Sequence, residues 1–437
     1  MNIAVVGLWH LGTVTAACLA AAGHDVVAVD DRSVLEPLAA GILPVAEPGL
    51  ADLIGAEQAA GRLRLSADLA ALRDRELIWI AYDTPIDSHD RADVGFVVDR
   101  IAAVIAVLDG STTIAVSSQL PVGSVARLER LADAAGKGEQ LTFASIPENL
   151  RLGSAIAYFR APDRMIVGAR DPVARERIAR ALAPFVADVK WMRTESAEMT
   201  KHALNAFLAS SVAFMNEIAG VCERVGADAR EVEAGLKSDA RIGPKAYLRA
   251  GQAFAGGTLA RDLTFLAEIG ERTGAAVGQL EATQSSNERH KAWLETTVLA
   301  ALAGSADPAV ALLGLVYKPG TDTLRASTAI ALARRLGPAG IRVSGFDPAI
   351  RPGNRELAGI VDVAPNAAAA LLDADVAVVA TPWPVFRDLS ARDFVGMRGS
   401  TLVDPDRFLD PDGPALAGLA CIAFGVGAPV EPAVNRR

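Results

Sequence analysis

Residues 7–12 read Gly-Leu-Trp-His-Leu-Gly and follow a short apolar run, as the phosphate-binding turn of a dinucleotide-binding domain does. In such a turn the first glycine allows the tight bend and the third lets helix and strand pack closely, and Gly7 and Gly12 supply these roles. Trp9 stands where the middle glycine usually lets a pyrophosphate approach. Asp30 ends the next apolar run. A carboxylate at this position can accept hydrogen bonds from both hydroxyls of the adenosine ribose, which favours NAD over NADP. Two interpretations stay open: an NAD-binding turn, or a turn that kept its packing glycines and lost affinity for phosphate.

Lys201 and Asn205 lie four residues apart within a helical pattern. This spacing places both side chains on one helix face, from which they can reach the same oxygen atom. Fixed donors directed at developing negative charge are among the strongest catalytic devices. The alternative is a solvated lysine beside an asparagine without a role in catalysis.

Short apolar strands alternate with amphipathic helices over the first part of the chain, and these elements must position the turn. The pattern predicts a helix over 11–22 and strands over 2–6, 25–29, 77–81, 113–117, 141–144 and 165–167. Such alternation is typical of a parallel, doubly wound sheet. Residues 194–236 lack strand signals, so their long helical period predicts an unusually long connecting helix punctuated by Gly226.

The alternation of strands and helices resumes after Pro308. It predicts a helix over 328–336 and strands over 309–315, 342–346, 376–380 and 401–403. The predicted fold class is therefore α/β, with two Rossmann-like doubly wound parallel-sheet domains joined by a long central helix. The expected domains cover residues 1–190, 191–300 and 301–437.

Composition excludes several classes of function. The 437-residue chain has a formal net charge of −9, which argues against a nucleic-acid partner. Its three cysteines lie far apart without a Cys-x-x-Cys pair and its five histidines are scattered, so we expect no metal site. Residues 1–24 lack the basic start of a signal peptide, and no later segment has eighteen uninterrupted apolar residues. We expect a cytoplasmic protein without a membrane partner.

Short motifs that could mark a family are spread over almost the whole chain. They are GILPVAEPGL at 41–50, DTP at 83–85, PVG at 121–123, PENLR at 147–151, PDR at 162–164, KHALNAF at 201–207, NE at 216–217, RIG at 241–243, GLVYKPGTDTLRAS at 314–327, FDP at 346–348 and TPW at 381–383. This set resembles that of the UDP-glucose/GDP-mannose dehydrogenase family. The resemblance implies an NAD-dependent oxidoreductase of polysaccharide biosynthesis, with an NAD-binding first domain, a dimerising central domain and a last domain that binds a UDP-sugar. It also implies a homodimer or higher homo-oligomer built on the central helix.

The same resemblance implies the site residues. Lys201 and Asn205 would polarise the reacting oxygen and stabilise its negative charge. Asp262 would position water or accept a proton, and Glu148 would act as a base. Implied cofactor residues are Gly7, Trp9, His10, Leu11, Gly12, Asp30, Thr84, Lys318 and Arg325. Implied substrate residues are Glu148, Leu150, Lys201, Asn205, Arg241, Tyr247 and Lys318.

The segment YLRAGQAFAGGTLARD at 247–262 departs from the family at one decisive position. It aligns without a gap to the family's FLxxxxGFGGSCFPKD, and Thr258 occupies the position of the family's nucleophilic cysteine. In the family, a thiolate captures the aldehyde from a first oxidation, a second hydride leaves, and water hydrolyses the thioester. A threonine hydroxyl has a far higher pKa than a thiol and leaves poorly from an ester, so the thioester route is excluded.

Three functions compete on these residues. The first is one NAD-coupled hydride transfer at a CH–OH group of a UDP- or GDP-sugar, with a variant that oxidises the hydrated aldehyde to the uronic acid without a covalent intermediate. The second is an inactive homologue that binds a nucleotide sugar or a partner subunit and regulates, which Trp9, Asp83 and Thr258 favour. The third is epimerase-like use of tightly held NAD. We favour the first, because the lysine, asparagine and aspartate keep their family spacing.

Overall fold

The computed structural model describes residues 1–85, 87, 92–148, 150–254, 258–410, 413 and 416–427. The chain forms two compact units, Met1–Leu204 and Asn205–Arg437. The predicted domain limits near residues 190 and 300 stay predictions.

The first unit is built on one sheet covered by helices. Its strands are β1 (Asn2–Val6), β2 (Asp25–Val29), β3 (Leu63–Ser66), β4 (Leu77–Ile80), β5 (Thr112–Val116), β6 (Leu141–Ser145), β7 (Met165–Ala169) and β8 (Val189–Met192). Its helices are α1 (His10–Ala21), α2 (Arg32–Ala39), α3 (Leu50–Ala59), α4 (Val94–Val107), α5 (Ser124–Ala134), α6 (Ala155–Arg160) and α7 (Pro172–Leu182), followed by α8 (Thr194–Val225), which continues into the second unit. The strand order is β3-β2-β1-β4-β5-β6-β7-β8.

Strand β1 shows why the pattern of the sequence gives this sheet. Ile3 and Val5 are buried in one hydrophobic cluster and Ala4 and Val6 in another, on the opposite face. Side chains alternate between the two faces of a strand, so a continuous apolar run requires cover on both. Helices therefore pack on both sides of the sheet, and the predicted doubly wound fold is confirmed.

The first sheet departs from the predicted parallel pairing at one junction. Strands β6 and β7 pair antiparallel, with Ala144 opposite Ala169. An antiparallel neighbour needs no crossover to the far end of the sheet. The connection 146–164 consequently starts and ends at the same end of the sheet, and it carries Glu148 and Leu150 there. Strands β3 and β8 were absent from the sequence prediction.

Gly7 makes the turn after β1 as predicted. Its φ is +92°, and a Cβ atom there would lie 2.6 Å from the backbone nitrogen of Tyr82. A Cβ on Gly12 would lie 1.7 Å from the carbonyl oxygen of Gly7, so both positions require glycine. Gly23 has a similar φ of +90° but open space around it.

Substituting alanine at Gly7 and Gly23 separates these two effects. Gly23→Ala should cost about 1 kcal/mol in free energy of unfolding, because only the left-handed backbone is strained. Gly7→Ala should cost roughly 2 kcal/mol more, because the new Cβ also overlaps fixed backbone. Denaturant unfolding of the two variants measures the difference. Equal losses would show that the turn relaxes around a methyl group.

The second unit contains the rest of α8 and a smaller sheet. Its further helices are α9 (Ala229–Ser238), α10 (Thr258–Thr273), α11 (Gly278–Ala301), α12 (Thr328–Leu336), α13 (Ala367–Leu371) and α14 (Ala391–Phe394). Its strands are β9 (Ala309–Leu313), β10 (Arg342–Phe346), β11 (Asp362–Val363), β12 (Val376–Val379), β13 (Thr401–Val403) and β14 (Ala420–Ile422). They pair in parallel in the order β11-β10-β9-β12-β13-β14.

Helix α8 is the predicted long connecting helix. It has 32 residues and ends at Val225, directly before Gly226, whose φ is +75°. Among the described residues it is the helix with the length and mean hydropathy (1.3) of a membrane span, and 44% of its apolar window is buried inside the protein. The core helix of a globular protein meets the same criterion, so this is weak evidence for a membrane.

Candidate active site

The dinucleotide turn of the first unit is closed by Asp30. The Oδ2 atom of Asp30 accepts a hydrogen bond from the backbone nitrogen of Leu8 at 2.5 Å, and Oδ1 accepts one from that of Asp31 at 2.7 Å. Asp30 is half-buried, so its carboxylate remains reachable. This is the arrangement that a ribose-binding carboxylate requires beside a phosphate-binding turn.

Trp9 lies exposed at the turn. It precedes α1 in an extended conformation and is 45% exposed, so the indole is not part of the core. His10 and Leu11 begin α1, and Gly12 packs against Gly7. The free amides and the positive end of a helix dipole at its N-terminus favour an anion. The turn, the helix start and Asp30 together fit a dinucleotide.

The loops after β4 and β5 are tied together beside this turn. Thr84 is buried, and its Oγ1 donates a hydrogen bond to the carbonyl oxygen of Gln119 at 2.7 Å. Asp83 is exposed. Asp31, which follows Asp30 in the chain, pairs with the guanidinium of Arg100 at 2.6 Å, and this hydrogen bond lowers the pKa of Asp31.

Glu148 and Lys201 form the candidate acid–base pair of the first unit. Lys201 Nζ lies 3.4 Å from Glu148 Oε1, and the lysine side chain is 11% exposed. The other carboxylate oxygen of Glu148 accepts a hydrogen bond from the backbone nitrogen of Leu150 at 2.8 Å. Each group is therefore held by a defined partner and remains partly accessible. A carboxylate and an ammonium in contact can hold and move a proton at a bound hydroxyl.

Two buried residues of α8 that sequence reasoning missed support this pair. Glu198 accepts hydrogen bonds from the backbone nitrogens of Gly123 at 2.6 Å and Val125 at 2.9 Å. Burial raises the pKa of Glu198. His202 Nε2 lies 3.0 Å from the carbonyl oxygen of Leu120. These contacts fix α8 against the loop after β5. A glutamate within a mainly apolar helix, three residues before Lys201, was the available signal.

Asn205 and Asp262 form the polar pair of the second unit. Asn205 Nδ2 donates a hydrogen bond to Asp262 Oδ2, and both side chains are buried, Asp262 completely. Asp262 lies in the second turn of α10, and Thr258 is the exposed first residue of that helix. Asn205 follows Lys201 by one turn of α8. The structure thus brings the predicted asparagine and aspartate into contact, although they are 57 residues apart.

The other predicted residues of the second unit lie near its surface. Arg241 is exposed and pairs with Asp239 at 2.6 Å, which raises the pKa of Arg241. Tyr247 and Arg325 are exposed, and Lys318 is half-buried in the loop after β9. Their predicted roles in binding remain predictions.

The second sheet repeats the local pattern of the dinucleotide turn with a different outcome. Gly314 follows β9 with a φ of +93°, and Asp347 follows β10. Asp347 is 1% exposed, and its Oδ2 accepts the backbone nitrogens of Leu315 and Val316 and the Trp383 Nε1 atom at 2.7–3.0 Å. The hydrogen bonds that this carboxylate oxygen accepts therefore all come from groups of the protein itself.

Sequence models of one family match three consecutive ranges of the chain. They are the NAD binding domain over 1–186, the central domain over 195–289 and the UDP binding domain over 311–411 of the UDP-glucose/GDP-mannose dehydrogenase family. The chain belongs to this family. The predicted family is confirmed, and so are the predicted class of an NAD-dependent dehydrogenase of the nucleotide-sugar type and NAD as the cofactor.

Individual members of the UDP-glucose/GDP-mannose dehydrogenase family agree with this assignment. UDP-glucose 6-dehydrogenase of Rhizobium meliloti is 35% identical over 398 residues, which are 89% of this chain and 91% of that protein. The Pseudomonas aeruginosa enzyme of the same name is 34% identical and covers 98% of both chains. The structure of a UDP-glucose dehydrogenase from Pyrobaculum islandicum superposes with a TM-score of 0.88 at 29% identity over 98% of both chains.

Proposed function

We propose that this protein oxidises a CH–OH group of a UDP-linked sugar to the carbonyl by a single hydride transfer and releases the carbonyl product. The observation that carries the proposal is the presence of both polar pairs, Glu148 with Lys201 in the first unit and Asn205 with Asp262 in the second, together with a threonine, Thr258, at the position of the family cysteine. Acid–base and oxyanion groups serve a hydride transfer, whereas a thiolate serves only the later covalent step. A UDP- rather than GDP-sugar is proposed because the matched last domain is a UDP binding domain.

The first pair would handle the hydroxyl proton. Glu148 would accept the proton as the C–H bond yields its hydride, and the carbonyl forms from the remaining C–O bond. The Lys201 ammonium would stabilise the negative charge that develops on this oxygen. Bound NAD supplies the acceptor for the hydride, and the turn residues Gly7, Trp9, His10, Leu11 and Gly12 with Asp30, Thr84, Lys318 and Arg325 would hold it.

The second pair would orient the reacting oxygen. Asn205 already donates one amide hydrogen to Asp262, which fixes the plane and the direction of its side chain. The other amide hydrogen can then be presented to a ligand without further loss of conformational freedom. Leu150, Arg241, Tyr247 and Lys318 complete the proposed substrate residues.

A panel of nucleotide sugars tests the proposal directly. The protein is mixed with NAD and, separately, with UDP-glucose, UDP-N-acetylmannosamine or GDP-mannose, and the absorbance of reduced cofactor is followed. We expect reduction with a UDP-sugar, with about one reduced cofactor per sugar because the hydroxyl of Thr258 cannot carry the aldehyde further. Absence of reduction with every sugar, and of oxidation in the reverse direction, would contradict the proposal.

An inactive, regulatory homologue is the second candidate. The observations that favour it are the bulk of Trp9 at the turn and the exposed carboxylate of Asp83 next to Thr84. Calorimetric titration separates the two functions. Binding of a UDP-sugar without binding of NAD would support the regulatory function.

An apolar stripe on α8 supports the predicted homodimer. Phe207, Phe214 and Val221 are exposed at intervals of seven residues, which places them on one helix face, and Val225 extends it. Several large apolar side chains exposed on one helix face are typical of an interaction surface. We propose that a second copy of the chain covers it, and that the protein works in the cytoplasm in polysaccharide biosynthesis.

Charge on this stripe should dissociate the dimer. Phe214→Glu places a carboxylate in the proposed apolar interface, and we expect sedimentation to show a monomer at concentrations where the unsubstituted protein is dimeric. Val395→Glu, at an exposed valine of the second unit outside the stripe, is the matched control and should remain dimeric. A Phe214→Glu variant that sediments as a dimer would place the interface elsewhere.

A further inference from the structure

A carboxylate of the first unit links the dinucleotide turn to the loop that follows β6. Glu47 is 5% exposed, and its Oε2 atom lies 2.9 Å from Nε2 of His10. The same carboxylate accepts the backbone nitrogens of Gly153 and Ala155, each at 2.8 Å. One buried carboxylate therefore holds a side chain of the turn and two amides of the loop.

The loop leads from Glu47 to the acid–base pair. Gly153 lies within a turn that directly follows Leu150, in which the backbone nitrogen of Ser154 donates a hydrogen bond to the carbonyl oxygen of Arg151. The backbone nitrogen of Leu150 in turn donates to Glu148, which contacts Lys201. The position of the loop thus fixes the carboxylate that we assign as the base.

Both ends of this link lie where ligands are proposed to bind. His10 is the first residue of α1, so its backbone belongs to the part of the turn that faces a phosphate. Glu148 and Leu150 are proposed substrate residues. A ligand that fixes His10 therefore also restrains the loop, and thermodynamic linkage makes the effect reciprocal.

We infer that His10 and Glu47 are positioning residues that couple dinucleotide binding at the turn to the arrangement of Glu148 and residues 150–155, so that each ligand tightens the binding of the other. This inference rests on the proposed function. Neither residue touches the reacting atoms in this role. Their effect passes through the loop backbone to Glu148.

Calorimetry with NADH and UDP-glucose measures the coupling, because this pair of ligands cannot react together. In the unsubstituted protein we expect UDP-glucose to lower the dissociation constant of NADH by about 5-fold or more. His10→Phe keeps a planar ring but removes the donor to Glu47. The ratio of the NADH dissociation constants measured without and with UDP-glucose should then fall to about 1. His10→Gln retains a donor and should keep most of the coupling. Arg62→Gln, which breaks the 2.7 Å pair with Glu57 on α3, is the control and should leave the ratio unchanged.

Hydrogen exchange on the unsubstituted protein tests the same link without a variant that must fold. NADH alone should slow exchange of the amides of residues 150–155. Unaltered exchange there, or a His10→Phe protein with the full coupling ratio, would overturn the inference while leaving the proposed function intact. A protein that binds neither NADH nor UDP-glucose would overturn both.

Discussion

Replacement of Lys201 by alanine is expected to lower kcat for UDP-sugar oxidation by about 100- to 1,000-fold, the usual cost of removing one donor to a developing oxyanion. The ammonium lies 3.4 Å from Glu148 and its side chain is 11% exposed, so water replaces it poorly. Its loss also leaves the proposed base without its cationic partner. The KM for the UDP-sugar should change much less, because the interaction strengthens only as charge develops.

Two variants make the test specific for Lys201. Lys190→Ala removes a lysine whose side chain is exposed and pairs with Asp188, and it should retain full activity. Lys201→Arg keeps the charge with a different shape and should recover part of the loss. A Lys201→Ala protein with unchanged kcat would show that the lysine only stabilises the loop through Glu148.

Replacement of Thr258 by cysteine is expected to change the product from carbonyl compound to acid. A thiol at the first residue of α10 lies at the positive end of a 16-residue helix, which lowers the pKa of a cysteine and favours the thiolate. The thiolate would add to the aldehyde carbon, the adduct would give up a proton to a base and a hydride to a second molecule of NAD to form a thioester, and water would release the acid and restore the thiol. Thr258 is exposed, so the fold should accept the change.

The stoichiometry of cofactor reduction reads out this change. We expect reduced cofactor per sugar to rise from about one to about two in Thr258→Cys, with the uronic acid appearing in mass spectra of the product. Thr258→Ser preserves a hydroxyl at the same position and should remain near one. Two reduced cofactors per sugar in the unsubstituted protein would instead favour direct oxidation of the hydrated aldehyde.

Local patterns in the sequence were sufficient for most elements of the fold. Strand Arg342–Phe346 and helix Thr328–Leu336 have the predicted bounds, because the alternation of the strand and the apolar periodicity and N-cap of the helix are local to each segment. Strand β3, Leu63–Ser66, was missed because it lies at the sheet edge with a single buried residue and gives little hydrophobic signal. The antiparallel direction of β7 depends on how the 146–164 connection folds back, which periodicity does not encode.

The candidate site was predictable where its residues share one element or one motif. Lys201 and Asn205 could be placed together because a helix fixes their spacing. The contact of His10 with Glu47 could not be predicted, because 37 residues, including strand β2, separate them and either residue alone resembles a surface polar group. Glu198 likewise acquires its role only when α8 packs on the backbone of Gly123 and Val125.

The carboxylate of Asp347 bears on how many cofactor molecules one chain can hold. In the first unit Asp30 offers a partly accessible carboxylate beside its glycine turn, whereas Asp347 is enclosed and accepts two backbone amides and an indole nitrogen on one oxygen. A ribose hydroxyl could reach Asp347 only by displacing donors that hold the second turn in shape. We therefore expect only the first of these two turns to bind the cofactor, and binding to saturate at one dinucleotide per polypeptide.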